Sequence, residues 1–411
     1  MQATPKGFRL HLGIFGRRNV GKSSLLNALT RQQTSIVSEL AGTTTDPVEK
    51  PMELLPIGPV QFIDTAGIDD FGAIGTQRVR KTQEIFDRTD IGIIVSTESQ
   101  DGGAISVFER QIVDELRKRK IPILFVFNKS DLAEPTESSV TELETLQIPF
   151  VPLEAAHGKG IAELRELLIR TVPDDFLSPP PIVSDLVPPG ELIVLVVPID
   201  KEAPKGRLIL PQVQTIRDIL DGDRSCVVVK DVQLKSVLDR LQTPPALVVT
   251  DSQAFARVAA DTPEDVPLTS FSILFARQKG DFWSMVEGAK AIGSLQPGNR
   301  VLVAESCTHH PIDEDIGTVK IPNLLRKFVG DDLEIGHVSG HDFPKADLAD
   351  WNLVIHCGAC MWNRREMLSR ILHCREAGVP ITNYGLAIAF MLGILDRALK
   401  PLCGVGRSTR P

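Results

Sequence analysis

The eight residues Gly16-Arg-Arg-Asn-Val-Gly-Lys-Ser23 constrain the fold of this chain more than any other stretch. An apolar run (10–15) precedes them and a helix-forming run (24–29) follows, which is the strand–loop–helix context a phosphate-binding loop requires. Gly16 and Gly21 let backbone N–H groups curl around a phosphate. Lys22 can reach the β and γ oxygens and Ser23 can offer its hydroxyl to Mg2+, with Ser24 opening the helix beside them. Such a loop sits at the end of a parallel strand, so a sheet with crossover helices has to surround it. Apolar runs at 62–63, 91–95, 121–127 and 149–153 alternate with amphipathic stretches, which predicts an α/β domain over residues 1–178.

Four more pieces of this segment have a place around a nucleotide. Asp64-Thr-Ala-Gly67 follows an apolar strand; Asp64 can hold magnesium through water, and Gly67 lets its backbone N–H face a γ-phosphate. Between the two motifs, Gly42-Thr-Thr-Thr-Asp46 has no hydrophobic period, and Thr44 is the threonine expected to complete the magnesium shell. Asn128-Lys129-Ser-Asp131 follows the strand at 121–127, and the Asp131 carboxylate can accept two hydrogen bonds from guanine N1 and N2 that adenine cannot offer. The expected ligand is therefore GTP. A fifth motif reads Glu154-Ala155 before Gly158-Lys-Gly160 where serine–alanine is usual, so Ala155 is expected to meet the base through its backbone.

Beyond residue 178 the chain breaks at Ser178-Pro-Pro-Pro181 and Val187-Pro-Pro-Gly190, then resumes an α/β alternation over 185–265, a size suited to an interaction module and here expected to form a homodimer. Thr262-Pro-Glu-Asp-Val-Pro267 ends that segment, and a third α/β segment is read over 266–411, with buried strands at 300–304 and 353–355 and helices at 364–376 and 386–399. The net charge of −8 argues against a nucleic-acid partner, which needs a basic field. No apolar run reaches a membrane span and no signal pattern opens the chain, so the expected location is cytoplasmic.

Six cysteines are too few for a disulfide framework in a chain of 411 residues. Three of them have suggestive neighbours. Glu305-Ser-Cys307-Thr-His309-His310 follows the strand at 300–304, and His356-Cys357-Gly-Ala-Cys360 follows the strand at 353–355. In a parallel sheet both would lie at carboxyl ends of strands, where ligands bind. The pattern leaves zinc and iron–sulfur open, with His309 or His356 as a further ligand. A redox dithiol would leave the third cysteine and the histidines unused.

Residues 8–170 resemble the translation-factor-like branch of GTPases that includes Era and the tRNA-modification GTPase. At the place where Ras-like enzymes carry a water-orienting glutamine this chain has Ile68, and Asn19 stands where the resemblance implies a potassium ligand near the phosphates. A phosphate loop with Asn19, a Cys-x-His at 307–309 and a His-Cys-x-x-Cys at 356–360 together resemble the [FeFe]-hydrogenase maturation GTPase family. That resemblance implies three α/β domains: a Ras-like P-loop GTPase domain (1–178), a small dimerisation domain (185–265) and an iron–sulfur cluster-binding domain (266–411). It implies a [4Fe-4S] cluster on Cys307, Cys357 and Cys360 with one exchangeable iron. It also implies a scaffold and carrier on which two radical maturation enzymes complete a transient two-iron precursor for delivery to the apo-[FeFe]-hydrogenase. The alternative is a ribosome- or tRNA-associated GTPase with a structural zinc, against which stands the near balance of basic and acidic residues from Val266 onward.

Overall fold

The structure, a computed structural model, describes residues 4–31, 48–55, 57–64, 83–98, 105–173, 176, 180–199, 208–306, 315–340, 342–344 and 347–403. Thr44, Gly67, Ile68, Cys307, His309 and His310 lie outside them. The chain divides into two compact units, Met1–Pro179 and Pro180–Pro411. No helix of the described residues is long and apolar enough to cross a membrane.

The first unit is built on a six-stranded sheet in the order β2-β3-β1-β4-β5-β6, formed by β1 (Leu10–Phe15), β2 (Val48–Leu54), β3 (Gly58–Asp64), β4 (Ile91–Ser96), β5 (Ile123–Asn128) and β6 (Phe150–Leu153). All pairings are parallel except β2 with β3. Every residue of β1 and β5 is buried, as expected for strands covered by helices on both faces, and this is why both read as unbroken apolar runs. Pro51 falls on the edge strand β2, where a missing N–H disrupts the sheet least. Two separate hydrophobic clusters lie on this sheet. One contains Leu12, Leu26, Val126 and Leu164, the other Phe15, Phe86, Phe125 and Leu143.

The second unit holds two four-stranded parallel sheets. The first runs β10-β9-β7-β8, formed by β7 (Leu192–Val196), β8 (Ser225–Val229), β9 (Leu247–Thr250) and β10 (Leu268–Ser270). The other runs β12-β11-β13-β14, formed by β11 (Arg300–Glu305), β12 (Glu334–Ser339), β13 (Leu353–His356) and β14 (Ile381–Asn383). β10 pairs with β9, so the first of these sheets takes in residues on both sides of position 265; the prolines at 263 and 267 punctuate a loop inside it. Residues 271–275 form the start of a helix, Phe271–Lys279, capped by the Ser270 hydroxyl. One hydrophobic cluster reaches from Ile182 to Leu402 and packs residues of both sheets, among them Val194, Val248, Leu302 and Val354.

The helix expected over 386–399 is two helices, Tyr384–Met391 and Leu395–Leu399. Gly393, at φ 72°, turns the chain between them, with the Ile394 N–H donating to the Ala389 carbonyl and the Gly393 N–H to the Phe390 carbonyl. This paired arrangement satisfies carbonyls that the helix end would otherwise leave open.

Candidate functional site

Three motifs far apart in sequence meet at the carboxyl end of the first sheet. The phosphate loop leaves β1 at Gly16, whose φ of 151° lies in the region glycine favours and whose absent Cβ would stand 2.2 Å from the Val95 carbonyl oxygen. Gly21 has φ 96°, and a Cβ there would meet the Asn128 amide nitrogen at 2.1 Å. Glycine is required at both positions by backbone conformation and by space. Asn19 adopts a left-handed φ of 65°, and its carbonyl accepts a hydrogen bond from Lys129 Nζ at 2.9 Å.

Asn128, at the end of β5 and 2% exposed, is the pin of this arrangement. Its Nδ2 donates to the Val20 carbonyl at 2.8 Å, and its Oδ1 accepts from the Ala155 N–H at 3.0 Å. One side chain thus ties the phosphate loop to the base motif and to the fifth motif. Asp131 stands exposed three residues on. The Glu154 carboxylate is engaged within its own turn by Lys159 (2.8 Å) and His157 (3.5 Å), which gives the departure from serine a local role.

Lys22 is buried, and its ammonium donates to the carbonyls of Gly16 (2.6 Å) and Arg17 (2.7 Å). Ser23 and Ser24 are both exposed at the head of the helix Lys22–Arg31. Asp64, the last residue of β3, is paired in register with Ile14 and is 6% exposed. Burial raises its carboxyl above the ordinary range while Lys22 and Lys50 pull it down, and its Oδ1 has no hydrogen-bond partner among the described residues. A buried carboxylate oxygen without a partner beside a lysine fits a metal held through water. Thr44 and Gly67 lie outside the described residues.

The second candidate site lies where β11 and β13 end side by side. Ala304 is in register with His356, and the Cys357 N–H donates to the Ala304 carbonyl at 2.9 Å. The Ser306 N–H donates to Cys357 Sγ at 3.1 Å, and the Ser306 hydroxyl lies at 3.1 Å from the same sulfur. The last described residue of the first cysteine piece therefore touches the first cysteine of the second. Burial pushes the Cys357 thiol up, while hydrogen bonds from Ser306 and Ala359 favour the thiolate. Ala359 turns the loop at φ 49°, and Cys360 follows, half-buried. The helix Phe271–Lys279 ends beneath this loop. Lys279, 4% exposed, donates to the carbonyls of Ala359 (2.9 Å), Cys360 (3.3 Å) and Trp362 (2.8 Å). N–H···S donors and a buried cation beside two cysteines of one loop form a donor set that fits a negatively charged thiolate metal centre.

His356 has a different part. It is fully buried, its Nε2 accepts from Arg370 Nη1 at 3.0 Å, and its Nδ1 therefore carries the proton donated to the Cys357 carbonyl at 2.8 Å. Burial and then Arg370 lower its pKa to about 3. Both ring nitrogens are committed, so His356 could become a ligand only by giving up Arg370. That guanidinium also donates to the Gly340 carbonyl (2.6 Å) and lies 3.9 Å from the Trp362 ring centroid. Among the described residues no group of three or more His, Cys, Asp or Glu is placed to hold a metal; Cys307 and His309 lie outside them.

The sequence alone does not single out Lys279 or Arg370. A lysine in the last turn of a helix is an ordinary partner of the helix dipole, and the one signal at Lys279 is that the preceding run, 271–276, is almost wholly apolar.

Comparison with known protein families separates the two units. Residues 11–129 match the family described as 50S ribosome-binding GTPase. Residues 182–280 match the hydrogen maturase F dimerization domain, and residues 283–401 the hydrogen maturase F tetramerization domain. The chain belongs to the hydrogen maturase F family. Its first unit is a GTPase domain, similar to the tRNA modification GTPase MnmE of a Synechococcus species, 39% identical over 39% of this chain and 33% of that protein. It is also similar to the GTPase Der of a Nitratiruptor species, 34% identical over 39% of this chain and 36% of that protein. The chain thus spans about a third of the length of the curated relatives it matches. Among solved structures, the G domain of the T. maritima FeoB iron transporter is similar over 40% of this chain and 99% of its own, at 22% identity and a TM-score of 0.32. The maturase domains lie outside the GTPase match and include both described cysteines of the second site.

Proposed function

We propose that the first unit hydrolyses GTP and that the chain serves as scaffold and carrier for a two-iron precursor of the [FeFe]-hydrogenase active site, worked on by two radical enzymes and passed to the apo-hydrogenase. The observation that carries it is the meeting of β11 and β13, which lays Ser306 against Cys357 within the maturase segment. A ribosome- or tRNA-associated role with structural zinc is less well supported, because the domains after the GTPase match are maturase domains.

In the nucleotide site Lys22 would exchange its loop carbonyls for phosphate oxygens, Ser23 and Thr44 would face Mg2+ directly, and Asp64 would hold it through water. The Gly67 N–H would face the γ-phosphate, Asp131 would read guanine, and Asn19 would help hold K+, which could do the charge-neutralising work that no glutamine at position 68 assists. Backbone conformation at Gly16, Asn19 and Gly21 already has the curled form such a loop needs.

In the second site Cys307, Cys357 and Cys360 would hold a [4Fe-4S] cluster. Three thiolates leave one iron without a cysteine, and that position is where the two-iron cargo, His309 or a small ligand could attach. Ser306 and Lys279 would stabilise the thiolate charge. The functional division is a GTPase segment over 1–178, a homodimerising segment over 185–265 and a cluster segment over 266–411, with association beyond a dimer through the last. A cytoplasmic setting suits the reduced thiolates.

The deciding experiment is anaerobic purification with iron, zinc and sulfide analysis, beside electron paramagnetic resonance of the reduced protein with and without imidazole. About four irons and four sulfides per chain and a spectrum changed by imidazole are expected. One zinc with no sulfide and no response to imidazole would overturn the cluster reading.

A further inference from the structure

The Cys357–Cys360 loop is held from below by a residue outside the strand it follows. Lys279 ends the helix Phe271–Lys279, inside the dimerisation match, whereas the three carbonyls that accept its hydrogen bonds belong to Ala359, Cys360 and Trp362, inside the tetramerisation match. A lysine only 4% exposed is costly to bury unless its charge is met, and here the loop's own dipoles are turned toward it. Three carbonyls converging on one ammonium also fix the path of the chain across 359–362, including the left-handed turn at Ala359. The ring of Phe275, one turn back on the same helix, lies 5.8 Å from the ammonium and closes the site on its apolar side.

We propose that Lys279 is a positioning residue for the metal centre: it sets the loop so that Cys357 and Cys360 face one metal group, and it places a fixed positive charge beside their thiolates. This rests on the cluster reading given above for its second half only; the first half concerns the loop itself. The helix dipole works in the same direction, since a cation is favoured at a helix C-terminus. Lys279 lies inside the dimerisation match, and its hydrogen bonds link the helix Phe271–Lys279 to the Cys357–Cys360 loop.

The test uses the full chain as K279M, K279Q and K279R beside wild type, handled anaerobically. In the protein freed of metal, hydrogen exchange of the peptide covering 357–363 should quicken about tenfold in K279M, for loss of hydrogen bonds to the loop, with β11 exchanging as in wild type. K279Q should fall between, since its amide keeps donors for the carbonyls. After reconstitution with iron and sulfide, K279M should hold less than half the wild-type cluster, and what it holds should have a more negative midpoint potential, because removing a nearby positive charge disfavours the reduced state. K279R should restore the potential toward wild type. Unchanged loop exchange in both K279M and K279Q would overturn the positioning role, and an unchanged potential in K279M would overturn the electrostatic one. Wild-type protein that takes up no sulfide would instead sink the cluster reading, and the exchange data would still decide whether Lys279 sets the loop.

Discussion

Replacing Asn128 by alanine is the perturbation with the best-defined structural cost in the GTPase unit. It removes the donor to the Val20 carbonyl and the acceptor from the Ala155 N–H, at 2.8 and 3.0 Å, and both partner residues are themselves buried at 6% and 5% exposure. A buried polar group left without a partner costs about 1–3 kcal/mol, so two cost about 4 kcal/mol, reduced to about 3 kcal/mol if water reaches one of them. For a unit of this size that corresponds to a melting point lower by roughly 6–12 °C. Trp283, Trp351, Trp362 and the single tyrosine, Tyr384, all lie in Pro180–Pro411, so intrinsic fluorescence reports the second unit. The two units have separate hydrophobic clusters, so Asn128→Ala should lower the far-ultraviolet circular dichroism transition of the first unit while the tryptophan transition stays in place. Binding of a fluorescent GDP analogue should weaken in parallel, because the loop that Asn128 holds is the one that cradles phosphate. A dichroism midpoint within about 2 °C of wild type, with unchanged analogue affinity, would refute the pin.

Asp131→Asn should weaken GTP binding and improve xanthosine triphosphate binding; an unchanged preference in a competition assay would remove the guanine assignment. GTP turnover should be faster in potassium than in sodium, and Asn19→Ala should abolish the difference; equal rates in both salts would exclude the potassium ligand. Cys360→Ala should lower bound iron and sulfide while leaving GTP turnover nearly intact, whereas Lys22→Ala should do the reverse; joint loss of both properties would contradict separable sites. Burial works against ionised Glu49, but Arg88 and Lys6 outweigh it and hold the carboxyl down from 4.5 to about 2. A depressed acid stabilises above its unfolded pKa and loses that contribution as the pH falls through its folded one. Glu49→Gln should therefore cost about 3 kcal/mol in urea unfolding at pH 7, with the gap narrowing from pH 4.5 toward pH 2; a gap independent of pH would show that the ion pairs contribute nothing.

What can be read from the sequence, and what cannot, follows from the range of the interactions. β1 and β5 are covered on both faces, so burial alone writes them as apolar runs, and the motif residues Gly16, Asn128 and Asp131 attach directly to their ends. The strand β12 has an exposed or half-exposed residue at every position, and β14 has three residues, so neither leaves an apolar period to read. The same limit governs the second site. Its cysteines can be placed at strand ends because both follow buried strands, yet what organises them comes from elsewhere: Lys279, 80 positions before Ala359, and Arg370, 14 positions after His356. Each sits in a helix where a basic residue is commonplace, and only the approach of a second segment makes it a buried cation. The histidine shows how far this changes the chemistry. Beside Cys357 in the sequence, His356 reads as a fourth ligand, but once Arg370 donates to Nε2 the imidazole is held neutral, with its remaining proton on the Cys357 carbonyl. It then orients the peptide that carries the cysteine, and any further ligand to the proposed cluster would have to come from outside β13.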